Sequence, residues 1–199
     1  MEPKTSLGRI PGALVANGVG QVGILVRDLD QALRTYGAVR AVESWSLYTY
    51  GPEFVPRLEY RGQAGRFSMR IALGGKSPQV ELLEPLDGPS IYHEWIAQHG
   101  FGLHHLGFYV ESLEVAIRAM SDAGFPVLQM GTGYGADGDG GFAYFDTLAE
   151  ASVIFEAIEV PARRKPPQRI WQPGQPARSG RLDPRPKAWE LAGALGFEP

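Results

Sequence analysis

Four polar side chains stand where apolar ones are expected: Gln21, Glu81, His105 and Glu156. Each interrupts a run that reads as a β-strand, namely Gln21-Val22-Gly23-Ile24-Leu25-Val26, Val80-Glu81-Leu82-Leu83, Leu103-His104-His105-Leu106-Gly107-Phe108 and Val153-Ile154-Phe155-Glu156-Ala157-Ile158. Two carboxylates, an imidazole and an amide oxygen make an oxygen-rich donor set suited to a divalent cation. Two glutamates would neutralise a doubly charged ion, which is what makes its burial feasible. Four protein ligands would leave one or two coordination positions for a substrate. Taken singly, a glutamate in a strand more often faces water and a histidine is more often a packed core residue. The joint placement carries the reading.

That placement is symmetric. The stretch Gln21-Val22-Gly23-Ile24-Leu25-Val26-Arg27-Asp28-Leu29 reappears 84 residues later as His105-Leu106-Gly107-Phe108-Tyr109-Val110-Glu111-Ser112-Leu113. The spacing persists downstream, where Leu29, Ala32, Leu33 and Tyr36 map onto Leu113, Ala116, Ile117 and Met120 without a gap. Such a duplication implies two copies of one supersecondary unit. Gln21 and His105 are then equivalent in the first strands of the two halves, while Glu81 and Glu156 lie in the last strands. If the halves curl around a common groove, the four side chains converge on its axis. Because side chains alternate across a strand, His104 and His105 are not expected to share a face, and the repeat selects His105 as the inward one.

The elements that must position these groups follow from periodicity and punctuation. A strand over 20–26 leads into a helix capped by Asp28, with Gln31 three residues on, an apolar stripe at 29, 32, 33 and 36, and Gly37 at its close. Strands near 41–49, 66–73 and 78–83 complete a βαβββ module. A connecting helix over 89–99 follows Asp87-Gly88. The second module has a strand over 103–110, a helix over 112–123 capped by Ser112, and strands near 125–130, 142–146 and 152–159. The expected organisation is a lead-in (1–18), a domain (19–161, with modules over about 19–86 and 102–161) and a Pro/Arg-rich tail (162–199). Within the tail, Arg163, Arg164 and Lys165 form the one basic cluster, Trp171 and Trp189 suggest docking, and a short helix is expected over 187–195. The fold class is α+β: two tandem βαβββ modules forming a curled, barrel-like mixed sheet around a metal-binding groove.

With 44% apolar residues in 199, the chain has ample material for a core. Its net charge of −3 argues against a nucleic-acid partner or attraction to anionic lipid. The absence of cysteine rules out disulfides, thiolate metal sites and a cysteine nucleophile. The apolar stretch around 12–26 is broken by glycines and Asn17 and has neither the length of a membrane span nor the layout of a signal peptide. The expectation is a cytoplasmic protein without a membrane partner.

At the residues singled out above, the chain resembles the vicinal oxygen chelate superfamily, which includes glyoxalase I, methylmalonyl-CoA epimerase, extradiol dioxygenases and bleomycin-resistance proteins. The resemblance spans roughly 19–161 and rests on Gln21 to Leu29, Glu81-Leu82-Leu83-Glu84-Pro85-Leu86, Gly102-Leu103-His104-His105-Leu106-Gly107-Phe108, and Phe142-Ala143-Tyr144-Phe145-Asp146-Thr147 leading to Glu156. It implies that Gln21, Glu81, His105 and Glu156 are the metal ligands, and the epimerase and glyoxalase I branch is nearest. It also implies a divalent ion (Zn, Ni, Co, Mn or Mg), a small carbonyl or thioester substrate and a homodimer. Dioxygenases of this kind carry His where this chain has Gln21, and resistance proteins usually lack the ligands. A ring-cleaving dioxygenase and a non-catalytic small-molecule binding protein are therefore the alternatives. Epimerases place a second carboxylate base at the position aligned with Gln63, where this chain has an amide that cannot remove a proton; either the alignment slips, Glu59 or Glu81 substitutes, or the reaction is not a two-base epimerisation.

The chemistry implied is proton transfer at a carbon next to a carbonyl, with Glu156 as base and Glu81 as ligand and second catalytic carboxylate. Gln63, Tyr134 and Tyr144 are candidate pocket residues. Arg61, Arg66 and Arg70 are candidates for binding glutathione or coenzyme A, although Arg70 should face away from the groove by strand parity with Gln63. The glycine-rich stretch from Gly131 to Gly141 reads as a lid over the groove. Asp137 and Asp139 within it resemble a calcium loop that lacks its terminal acid.

Overall fold

In the computed structural model of the chain, residues 10–37 and 42–174 are described. The first half runs α1 (Gly12–Val15), β1 (Gln21–Leu25), α2 (Leu29–Tyr36), β2 (Trp45–Tyr50), β3 (Arg57–Tyr60), β4 (Gln63–Ala64), β5 (Met69–Gly74) and β6 (Gln79–Pro85). The second runs α3 (Ile91–His99), β7 (Gly102–Tyr109), α4 (Leu113–Asp122), β8 (Val127–Thr132), β9 (Gly141–Phe145), α5 (Leu148–Ala151), β10 (Ile154–Glu159) and β11 (Arg169–Trp171).

All of these strands join one mixed sheet in the order β11-β2-β5-β6-β1-β7-β10-β9-β8-β3-β4, curled but not closed. The equivalent strands β1 and β7 pair antiparallel at its centre. Each pairs in parallel with the last strand of its own half, β1 with β6 and β7 with β10. The curl brings its two arms together, with the rings of Tyr50 on β2 and Tyr134 beyond β8 centred 5.8 Å apart.

The repeated helices cover the outside for the reason the stripe gives. Asp28 accepts a hydrogen bond from Gln31 N at 2.8 Å, and Ser112 accepts one from Val115 N at 3.3 Å, each capping its helix. Leu29, Ala32 and Leu33 are buried against Trp45, Leu47 and Leu82, while Leu113, Ala116 and Met120 are buried against Phe108, Phe145 and Ala157. The inner face is lined by a separate cluster that includes Tyr48, Tyr50, Phe67, Tyr92, Phe142 and Tyr144.

Three features depart from the sequence reading, and the docking suggested by Trp171 takes a definite form. Residues 57–64 form a hairpin in which β3 pairs with β8 of the second half, covering an edge that would otherwise be open. Its turn needs positive φ at both Arg61 (52°) and Gly62 (74°). Arginine is a poor signal for that turn, so the sequence does not announce the hairpin. Gly37 does end α2, but with φ −65°, so no left-handed cap is involved. Glycine is needed there because a Cβ would lie 2.3 Å from Trp171 Cη2. The lead-in contributes α1, whose Leu14 is buried in the cluster under α4. Part of the tail adds β11 to β2, in register Trp171 to Trp45. The expected helix over 187–195 and Trp189 lie outside the described residues.

Trp171 is thus a core residue of the α2 face supplied from far along the chain. Trp171→Ala is expected to destabilise the protein by about 3–5 kcal/mol, the usual cost of emptying a buried tryptophan site. Urea denaturation measures it, and an unchanged midpoint would show that the segment does not dock.

Candidate metal centre

The register of the four central strands builds the site in two rows. Glu81, Gly23 and His105 pair across β6, β1 and β7, and Ile154 on β10 completes that row. Gln79, Gln21, Gly107 and Glu156 pair in the next. Rows two residues apart share a face, so Gln21, Glu81, His105 and Glu156 all project from the inner side of the sheet. Each row has a glycine at its middle, and Gly23 and Gly107 are equivalent in the repeat. A Cβ on Gly23 would lie 1.8 Å from His105 Cε1, and one on Gly107 would lie 3.0 Å from Gln21 Cβ. The imidazole occupies the space that Gly23 leaves.

The structure therefore brings together three of the four expected ligands: one ligand atom each from Glu81, His105 and Glu156 lies within 4.8 Å of the others. His105 Nε2 is 3.2 Å from Glu81 Oε2 and 3.1 Å from Glu156 Oε2. All three atoms are buried, and neither contact has hydrogen-bond alignment, so the three are orphaned at one point. Gln21 is buried on the same face. Its Nε2 donates to Gln79 Oε1 at 3.0 Å, while its Oε1 lies beside Gly107, on the row of Glu156. Hard and borderline donors left unsatisfied in a dry site are what a divalent cation requires, so these residues fit such an ion.

Electrostatics point the same way. Burial holds the Glu81 carboxyl above its usual range, with His105 acting against that. Burial alone would lower the His105 pKa, but Glu156 and then Glu81 outweigh it and push it up to about 9. The pocket demands positive charge, and a bound cation would meet the demand that a proton otherwise meets.

His104 corrects the strand-parity expectation, since it is as fully buried as His105. The register between β1 and β7 passes from Gly23 opposite His105 to Ile24 opposite Leu103, leaving His104 as the extra residue of a β-bulge. The bulge turns both rings inward, with the two Nδ1 atoms 3.0 Å apart. His104 thereby fixes the orientation of the His105 ring and leaves Nε2 facing the acids. Burial first, and then the neighbouring His105 and His99, hold His104 well below the usual histidine range.

The remaining candidates separate. Tyr144 packs on the site, its ring centred 5.1 Å from that of His105 and its Oη accepting from Tyr92 Oη at 3.1 Å. Tyr134 donates to the Glu159 carbonyl at 3.0 Å and lies beside Tyr50 at the mouth of the groove. Gln63 is a correction: it is exposed on β4, four strands along the sheet from β10, because the hairpin carries it away from the centre. Arg61 pairs with Glu94. Arg70 faces away from the groove as expected, held by Glu84 and Asp30 at 2.8 Å each. The expected lid is a tied turn, in which Gly133 N donates to Gly140 O and Gly135 N to Asp139 O, each at 2.8 Å. Asp137 engages Arg163, and Asp139 accepts from Ala162 N at 2.7 Å.

The sequence profile of the glyoxalase/bleomycin resistance protein/dioxygenase superfamily matches residues 20–145, and the chain belongs to that superfamily. Its members typically bind a divalent metal, for which the Glu81, His105 and Glu156 cluster is suited. No curated protein matches the chain in sequence. Among solved structures, hypothetical protein BH1468 from Bacillus halodurans C-125 is similar at 21% identity and TM-score 0.55, over 76% of this chain and 99% of that one. Methylmalonyl-CoA epimerase from Mycobacterium tuberculosis is similar at 23% identity and TM-score 0.49, over 81% and 93%. A Streptomyces coelicolor methylmalonyl-CoA epimerase in complex with 2-nitronate-propionyl-CoA stands at 24% identity and TM-score 0.48, over 72% and 96%. The likeness to the first of these is one of fold. Among the described residues, no helix is long and apolar enough to cross a membrane.

The sequence reading does not give Gly23 and Gly107 their part in the site, although both stand in the repeat. Glycine at the same strand-interior position of both halves was the available signal, since it marks a close approach. Gly23→Ala is expected to force the His105 ring aside and to cost about 1–3 kcal/mol through overpacking. Gly12→Ala, where a Cβ meets nothing within 4 Å, serves as control. Equal urea midpoints for the two variants would show that the ring does not occupy that space.

Proposed function

We propose that this chain is a divalent-metal-dependent enzyme that moves a proton at a carbon next to a carbonyl, as an epimerase or a glyoxalase-type isomerase acting on a small carbonyl or thioester compound. The observation that carries this reading is the convergence of three orphaned, buried ligand atoms from Glu81, His105 and Glu156. These residues, with Gln21, would hold the ion. When bound, such an ion supplies Lewis-acid polarisation of the substrate carbonyl, which acidifies the neighbouring C–H.

The chain's own groups perform the rest. Glu156 accepts the proton, since its Oε2 has no hydrogen-bond partner among the described residues and is desolvated. Glu81 stands on the far side of Gly23 from His105 and is the second carboxylate. With Gln63 remote, a two-base reaction would draw its second carboxylate from Glu81, which converges with Glu156 on His105. His104 keeps the His105 ring in place through the contact between their Nδ1 atoms. Tyr92 and Tyr144, both fully buried beside the histidines, exclude water that would compete for the proton.

Co²⁺, Ni²⁺, Mn²⁺ or Zn²⁺ should raise the stability of the wild-type protein, by about 2.7 kcal/mol at a hundredfold excess over the dissociation constant. His105→Ala should abolish that gain. Glu156→Gln should retain part of it while slowing deuterium uptake from D₂O into a 2-methyl-branched acyl-CoA or a hemithioacetal by about 10²–10⁴-fold. A wild-type melting temperature indifferent to all four ions would overturn the reading, and full exchange by Glu156→Gln would remove it as the base.

A further inference from the structure

The segment that follows the matched domain crosses the open side of the curled sheet. Ala162 N donates to Asp139, Ala136 N donates to Arg163 O at 2.8 Å, and Gly135 bridges Arg164 through the backbone. Further on, Gln168 N donates to Leu47 O at 3.0 Å, its Oε1 accepts from Thr49 N at 2.9 Å, and β11 pairs with β2. Residues 162–171 thus form a strap from the glycine-rich turn on one arm to β2 on the other.

Its basic residues differ in how they are used. Arg163 pairs with Asp137. Lys165 donates to Phe54 O at 2.8 Å and lies 4.7 Å from the centre of that ring. Arg164, half-buried between them, has no carboxylate within ion-pair distance and no side-chain hydrogen bond among the described residues. It stands with Tyr48, Tyr50, Phe54, Tyr134 and Lys165 around a narrow cleft. That wall holds two cations, the hydroxyls of Tyr48 and Tyr50 and no acid, the Tyr134 hydroxyl being engaged by the Glu159 carbonyl. Burial raises the Tyr50 and Tyr134 phenols, and both feel the Arg164 cation as well as the Glu81 carboxylate.

We propose that Arg164 is the anion-binding residue of the substrate site, taking an oxyanion carried by the same small molecule whose carbonyl reaches Glu81, His105 and Glu156. This rests on the reading of the metal centre for its place in the reaction, but the anion site itself does not. A guanidinium held by backbone contacts on both sides, with its donors uncommitted and phenol donors alongside, is preorganised for a carboxylate or phosphate oxygen. Such a grip orients the substrate's reacting carbon by a second, distant contact. The three arginines noted in the first module do not serve: Arg61 and Arg70 are paired with carboxylates, and Arg66 is exposed.

Metal-free full-length protein titrated calorimetrically with malonate and, separately, with inorganic phosphate tests this at constant ionic strength. At least one of the two should bind, and which binds tighter tells a carboxylate from a phosphate ligand. Arg164→Gln should weaken that binding at least tenfold, Arg164→Lys should restore part of it, and both variants should still bind Co²⁺. Failure of both anions to bind wild type, or equal affinity in Arg164→Gln, overturns the proposal. Normal anion binding with no Co²⁺ binding in any form would sink the metal centre and leave the anion site standing.

Discussion

Two carboxylates and an imidazole share a space from which water is excluded, and most of the inner face can be understood from that constraint. Glu81 and Glu156 are 7% and 3% exposed, so their charges are poorly solvated and must be met within the protein. A protonated His105 meets one of the two, leaving a net charge of about −1 in the pocket. A doubly charged ion with neutral His105 meets both. The Arg164 cation at the mouth acts on the same imbalance from a distance, lowering the Glu81 carboxyl that burial raises. A sheet interior built for stability alone would avoid these charges, because a well-packed apolar trio is rarely worse than a buried ionic one. Their retention within one ion's reach is the argument for chemistry.

Space is the second half of the constraint. In each module the first and last strands are parallel neighbours, and the two modules meet along antiparallel β1 and β7. This places two donors on opposite sides of a glycine in each row. Without Cβ atoms at Gly23 and Gly107, His105 can lean over the centre and Gln21 can turn its amide oxygen toward the row of Glu156. Outside, α2 and α4 seal the opposite face with leucine, alanine and methionine, so the sheet is buried on both sides where the charges lie.

What the sequence made legible follows from which signals are local and which are not. The 84-residue repeat linked Gln21 with His105, and the apolar runs placed Glu81 and Glu156 in strands, because period and alternation are written in the chain itself. The bulge at His104 was not legible: it arises from pairing between β1 and β7, where one extra residue reverses the parity rule. The hairpin over 57–64 was missed for a similar reason, since its partner β8 is far away in sequence and its turn uses Arg61 in a conformation arginine seldom adopts. Gln63 was misplaced with it. Trp171 was suspected of docking, but its seat against Gly37 depends on tertiary contacts that no local pattern records.

The strap follows from the same geometry. A curled sheet that stops short of closure has two exposed edges and one open side. Here β3 covers the edge of β8, β11 covers that of β2, and residues 162–171 run between the arms. The superfamily match ends at residue 145, before any of this segment begins. The metal centre belongs to strands that hold the core together, where a change of side chain disturbs packing on both faces. The strap bears on the same groove through backbone hydrogen bonds and surface pairs, so its side chains can differ without repacking the core. A residue that reads the far end of a substrate is better placed on such a segment than on β6 or β10, because recognition there can be tuned while the proton-transfer geometry stays fixed.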